Sequence, residues 1–105
     1  MKEVTPAELK QLKDQNADFV LIDVREEHEF DEANLSGILI PMGEAMDRAD
    51  EIPKDKKVVV HCRSGKRSGD VISYLEKNHH FENLYNLKGG ILAWAREIDP
   101  EMPTY

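Results

Sequence analysis

Cysteine is almost missing from this chain: Cys62 is the only one in 105 residues. An internal disulfide is therefore excluded. So is a second thiol in the same chain that could resolve a bond formed at the first. One cysteine and scattered histidines do not make a structural zinc site, and no metal is expected. A lone thiol stays free in a reducing compartment, so a cytoplasmic location is expected. No apolar run approaches the ~20 residues of a membrane-spanning helix, and the N-terminus lacks a secretion-signal pattern. Basic residues are in deficit, 14 Lys and Arg against 21 Asp and Glu. The resulting net charge of −7 argues against a general binder of nucleic acid or of anionic membranes. Repeats, low-complexity tracts and domain-dividing linkers are also lacking, so residues 1–105 read as one domain around one core. Nucleotide signatures fail too. Val60 stands where a P-loop ending in Gly65-Lys66 needs glycine, and Arg67 stands where it needs Ser or Thr. There is no Gly-x-Ser-x-Gly elbow, and no cofactor is expected.

What is present centres on His61-Cys62-Arg63-Ser64-Gly65-Lys66-Arg67-Ser68-Gly69. The apolar run Lys57-Val58-Val59-Val60 before it reads as a buried strand, and Asp70-Val71-Ile72-Ser73-Tyr74-Leu75 after it reads as a helix. Cys62 thus sits where a strand stops and a helix begins. A thiol reacts as its thiolate, and an ordinary thiol is mostly protonated at neutral pH. Arg63, Lys66, Arg67 and the free N–H groups of a helix N-terminus all favour the anion. Gly65 and Gly69 allow the backbone to curl so that several N–H groups face one point. The competing reading is an inert buried cysteine ending a strand; the cationic, glycine-punctuated setting favours the reactive thiol. His61 is a poor candidate for its base, because adjacent strand residues point to opposite faces.

Along the chain, Thr5, Pro6 and Glu8 spell the start of a capped helix running to Gln15-Asn16. Phe19 to Val24 reads as a strand buried on both faces, Glu26 to Phe30 as a short helix, and Ile38-Leu39-Ile40 as a short strand closed by Pro41. Gly43 to Ala49 reads as a helix with Met42 and Met46 packed in the core. Arg67 to Asn78 carries Val71, Ile72 and Leu75 on one helical stripe. A strand around Leu84-Tyr85-Asn86, a turn at Lys88-Gly89-Gly90 and a helix through Trp94 to Ile98 follow. Strands alternating with helices predict an α/β fold: a central, mainly parallel sheet flanked by helices on both faces. In such sheets chemistry gathers at the carboxyl ends of strands, which should bring the ends of Phe19–Asp23 and Val58–His61 together.

Cys62-Arg63-Ser64-Gly65-Lys66-Arg67-Ser68 resembles the active-site loop of the rhodanese (sulfurtransferase) family. Asp23-Val24-Arg25-Glu26, the segment Ala33 to Pro41 and Gly89-Gly90 with Trp94 resemble further motifs of the same family. Two departures stand out: Asn34 replaces the usual histidine, and the stretch after Gly37 is one residue short. The segments Leu35 to Pro41 and Gly89 through Pro103-Thr104-Tyr105 look like rhodanese domains fused to enzymes that adenylate sulfur-carrier proteins. Loop length carries information as well. Cys62 to Arg67 is Cys-x4-Arg, as in rhodaneses, whereas related phosphatases and arsenate reductases use the wider Cys-x5-Arg loop.

The resemblance implies a transferase that moves sulfane sulfur through a persulfide on Cys62. The donor would be a small anion, thiosulfate or a persulfide; the acceptor would be a thiol or a sulfur-carrier protein. Arg63, Ser64, Gly65, Lys66, Arg67 and Ser68 would bind the donor. Asp23 and Arg25 would act from behind, orienting the cysteine loop or its substrate, or bracing neighbouring loops through an ion pair and hydrogen bonds. The alternative is a regulatory module that loads sulfur on Cys62 without appreciable turnover.

Overall fold

The computed structural model describes residues 1–103; Thr104 and Tyr105, part of the C-terminal resemblance, lie outside the described residues. β1 (Glu3–Val4) leads into α1 (Pro6–Asp14), whose start is the one the sequence spells. The Thr5 hydroxyl accepts from the Glu8 N–H at 3.1 Å and Glu8 Oε1 accepts from the Thr5 N–H at 2.9 Å. β2 (Phe19–Asp23), α2 (Glu27–Glu32) and β3 (Ile38–Leu39) follow. Next come α3 (Met42–Ala45), a 3-10 turn at Ala49–Glu51 and β4 (Lys57–His61). α4 (Lys66–His79), β5 (Leu84–Leu87) and α5 (Gly90–Glu97) complete the order.

The described strands form one sheet in the order β1-β5-β4-β2-β3, parallel at every pairing. β4 lies at its centre, and Asp23 pairs with His61, so the carboxyl ends of β2 and β4 are adjacent as expected. Side-chain alternation divides the core. Val58, Val60 and Cys62 pack on the face covered by Ala45 of α3 and by Val71, Ile72 and Leu75 of α4. Val59 and Leu21 pack on the other face with Leu9 of α1 and Ile91 and Trp94 of α5. Helices therefore cover both faces, and β4 is apolar on both, as its run of three valines requires.

Two expectations are corrected. The helix read from Gly43 to Ala49 is only one turn, Met42–Ala45, followed by turns and the 3-10 segment. Met46, placed in the core by its spacing from Met42, is 51% exposed. A four-residue helix presents too little of one face to bury two methionines, and Ala45 and Ala49 take the core positions instead. β1 has no counterpart among the expected strands; two residues give no periodicity, and its pairing with β5 defines it. The turn leading to Gly37 is held by the Asn34 side chain. Asn34 Oδ1 accepts from the Ser36 N–H at 2.8 Å, its Nδ2 donates to Phe30 O at 3.1 Å, and Ser36 takes φ 64°.

Candidate active site

The Cys62 side chain continues the inward face of β4 and is 1% exposed. Residues 63–65 then turn sharply, with Gly65 at φ 105°, a left-handed conformation that glycine adopts without Cβ strain. The turn sets the first residues of α4 over the sulfur. Gly65 N–H donates to Sγ at 3.1 Å, Ser68 N–H at 3.4 Å, and the Ser68 hydroxyl oxygen lies 3.3 Å away. Burial pushes the thiol pKa up. The Ser68 hydroxyl and the N–H groups of Ser68, Gly65 and Ser64 outweigh it and bring the pKa below its ordinary value. The leading stabilisers of the anion are thus the hydrogen bonds of the expected N–H cradle and the Ser68 hydroxyl, rather than the three loop cations invoked beside it. Gly69 is a helical residue of α4 and supplies no second turn.

The loop cations do not play one role. Lys66 is exposed at the first position of α4, and Arg63 is half-buried beside it. Arg67 turns to α2, where Nη1 and Nη2 donate to Glu29 Oε1 at 2.7 Å and Oε2 at 2.9 Å. Glu29 is itself buried, and its Oε1 also accepts from the Glu26 N–H at 3.0 Å. Arg67 therefore locks α4 to α2 through a bidentate pair.

Behind the loop, Asp23 and Arg25 are wholly buried. Arg25 Nε and Nη2 donate to the Asp23 carboxylate at 2.8–3.1 Å, and Nη2 also donates to Ala33 O at 2.7 Å. This ties the end of β2 to the end of α2. Val24 N–H donates to His61 O at 3.0 Å, which joins the same brace to the residue before Cys62. His61 faces the opposite side of the sheet from Cys62, is buried, and has Nε2 3.6 Å from Asp23 Oδ2, too far for a hydrogen bond. Burial pushes its pKa down to about 4, against the opposing pull of Asp23, so the ring is neutral at pH 7.

Three contributors escaped the sequence reading. Asn86 of β5 donates from Nδ2 to Gly65 O at 3.0 Å and accepts at Oδ1 from the Ser68 hydroxyl at 2.6 Å. Glu29 holds Arg67. The start of α5 holds the loop backbone: Ile91 N–H donates to Cys62 O at 3.0 Å and Leu92 N–H to Arg63 O at 3.1 Å. Gly90 permits that approach, since a Cβ there would lie 2.3 Å from Arg63 O. A polar residue on the inward face of a strand, as Asn86 is, was the available signal, because buried amides need partners.

Comparison with known proteins identifies relatives of the chain. The Rhodanese-like domain model matches residues 5–97. A sulfurtransferase of Allochromatium vinosum is 37% identical over 97 residues, covering 91% of this chain and 90% of its own length. The "Probable adenylyltransferase/sulfurtransferase MoeZ" of Mycobacterium tuberculosis is 33% identical over 108 residues, 97% of this chain. That match covers 26% of MoeZ, so the chain corresponds to about a quarter of that relative. A crystal structure of a rhodanese-like domain protein from Staphylococcus aureus superposes with a TM-score of 0.81 at 32% identity, covering 90% of this chain and 91% of that one.

Proposed function

The chain belongs to the rhodanese-like sulfurtransferase family, and from that premise we propose that it moves sulfane sulfur through a persulfide on Cys62. The Cys62 thiolate attacks the outer sulfur of thiosulfate. A new S–S bond forms, the original S–S bond breaks with its electron pair, and sulfite departs. With a persulfide donor the leaving group is the donor's thiolate. A second nucleophile then attacks the terminal sulfur and releases Cys62 as a thiolate. Cyanide would serve in an assay, leaving as thiocyanate, and in the cell a thiolate, small or carried by a sulfur-carrier protein, would leave as its persulfide. No separate base is needed once Cys62 is ionised, a form that its lowered pKa favours.

The observation that carries this reading is the convergence of the Gly65 and Ser68 donors on one buried sulfur inside a Cys-x4-Arg loop. Arg63 and Lys66 supply positive charge at the rim for an anionic donor, and Ser64 lies exposed between them. Among the described residues no helix is long and apolar enough to cross a membrane. A reducing cytoplasm is the compartment that would keep this thiol available.

Cys62→Ala is expected to abolish thiosulfate:cyanide transfer; retained full activity would end the proposal. Incubation with thiosulfate should add the mass of one sulfur atom to Cys62, removable by cyanide. The near-complete burial of Cys62 supports one second reading, a module that loads sulfur and holds it. Loading without turnover on cyanide, small thiols and a carrier-protein thiol would select that reading.

A further inference from the structure

The Asn86 side chain makes two hydrogen bonds that end on groups serving the sulfur, besides a longer one from Nδ2 to Met1 Sδ at 3.7 Å. Its Nδ2 donates to the carbonyl of Gly65, whose own N–H points at Cys62 Sγ. Its Oδ1 lies 2.6 Å from the Ser68 hydroxyl, whose oxygen is 3.3 Å from Sγ. The Gly65 carbonyl fixes which way the amide faces, since a flipped amide would set oxygen against oxygen. The residue is 6% exposed, so water offers Oδ1 little alternative.

The hydroxyl of Ser68 has one proton and stands between two acceptors. When Cys62 is a thiol, the chain is complete: S–H donates to Ser68 Oγ, and Ser68 O–H donates to Asn86 Oδ1. When Cys62 is an anion, Sγ has no proton to give and competes with Oδ1 for the one on Ser68. A charged acceptor forms the stronger hydrogen bond.

We propose that Asn86 is a positioning residue that shares the Ser68 proton with Cys62, so that the hydroxyl donates to the amide while the sulfur is protonated and rotates to the sulfur when it ionises. The exchange moves no proton between heavy atoms; it rotates one O–H bond. Asn86 thereby tempers the anion: the thiolate is stabilised, but only by the excess of its pull over that of a neutral amide oxygen. The biological meaning rests on Cys62 carrying the transferred sulfur, as proposed above, whereas the exchange itself concerns the thiol alone.

The test is therefore the rate of Cys62 alkylation by iodoacetamide against pH, which needs no sulfur transfer and is unambiguous in a chain with one cysteine. Ser68→Ala should raise the midpoint by about one pH unit. Asn86→Leu, similar in volume but without an acceptor, should lower it by about half a unit, because the hydroxyl is then released to the sulfur. In a Ser68→Ala background Asn86→Leu should leave the midpoint in place. A rise in Asn86→Leu, or the same shift with and without Ser68, would overturn the proposal by showing that Asn86 only braces the loop. Arg63, Lys66, Arg67 and Asp70 on the loop and α4, and Glu29 on α2, are common to all the variants. His61 on β4 faces away. Differences between variants therefore read the hydrogen bonds. Should Asn86→Leu fail to fold, the wild-type protein decides the matter. The side-chain carbonyl carbon resonance of Asn86 should titrate with the Cys62 midpoint and lose that step in Ser68→Ala; a resonance that does not move refutes the exchange.

Discussion

At the scale of single residues, the sulfur site depends on atoms that carry no charge. Gly90 adopts φ 63°, and a Cβ at that position would meet Arg63 O at 2.3 Å and Cys62 O at 2.7 Å. Gly90→Ala should therefore displace the loop, lowering sulfur transfer on the order of 10²-fold and stability by about 1–3 kcal/mol. Kinetics and urea unfolding on the same preparation check both. Arg67→Ala should behave differently. It leaves the buried Glu29 carboxylate without its bidentate partner; discounted for the one-third exposure of Arg67, the loss is about 1–3 kcal/mol. Glu29→Gln, which removes the buried charge, should recover part of that loss in the urea midpoint when combined with Arg67→Ala and should itself destabilise when Arg67 is present.

At the scale of elements, α1 is the clearest case of a sequence signal with a measurable energy. Its reciprocal Thr5–Glu8 hydrogen bonds satisfy two otherwise open N–H groups. Thr5→Ala should cost about 1 kcal/mol, seen as a fall in Tm of roughly 4–8 °C for a domain of this size. The opposite expectation holds for α3. Met46 is half-exposed, so Met46→Gln should change stability by less than about 0.5 kcal/mol, whereas its periodic spacing from Met42 had argued for a core position. Periodicity served well where elements were long: α4 buries Val71, Ile72 and Leu75 as its stripe requires. It failed over four residues, because one turn cannot define a face.

At the scale of the whole molecule, the sheet buries an ionisable group that the chemistry does not use. His61 is held near pKa 4 by burial, with Arg25 adding to the effect and Asp23 opposing it. In the unfolded chain it titrates near 6.5, so between those values the unfolded state binds the extra proton. Its contribution to stability is complete above about pH 6.5, declines as pH falls toward 4, and totals about 3 kcal/mol. Urea midpoints measured from pH 7 to pH 4 should fall across that window. His61→Phe should flatten the profile, even if its absolute stability differs. Sulfur transfer itself should follow Cys62, whose depressed pKa places the rise in rate at a lower pH than an ordinary thiol would show.

The chain's own order of residues determined the alternation of strands and helices, the capped start of α1, the buried central strand and the place of Cys62 at its end. Each of these rests on local chemistry: the period of apolar residues, one proline, one threonine and a glycine where the backbone must turn left-handed. The Cys-x4-Arg spacing and the family motifs were legible for the same reason, being short and contiguous. Folding alone decided which neighbours stabilise the sulfur. Asn86, Glu29 and the first turn of α5 reach the loop from positions 18–38 residues away in sequence, across strand pairings and helix packing that no local pattern encodes. It also decided that Arg67 faces Glu29 and that hydrogen bonds overcome the cost of burying the thiol, because charge in a sequence has sign but no direction until the backbone gives it one.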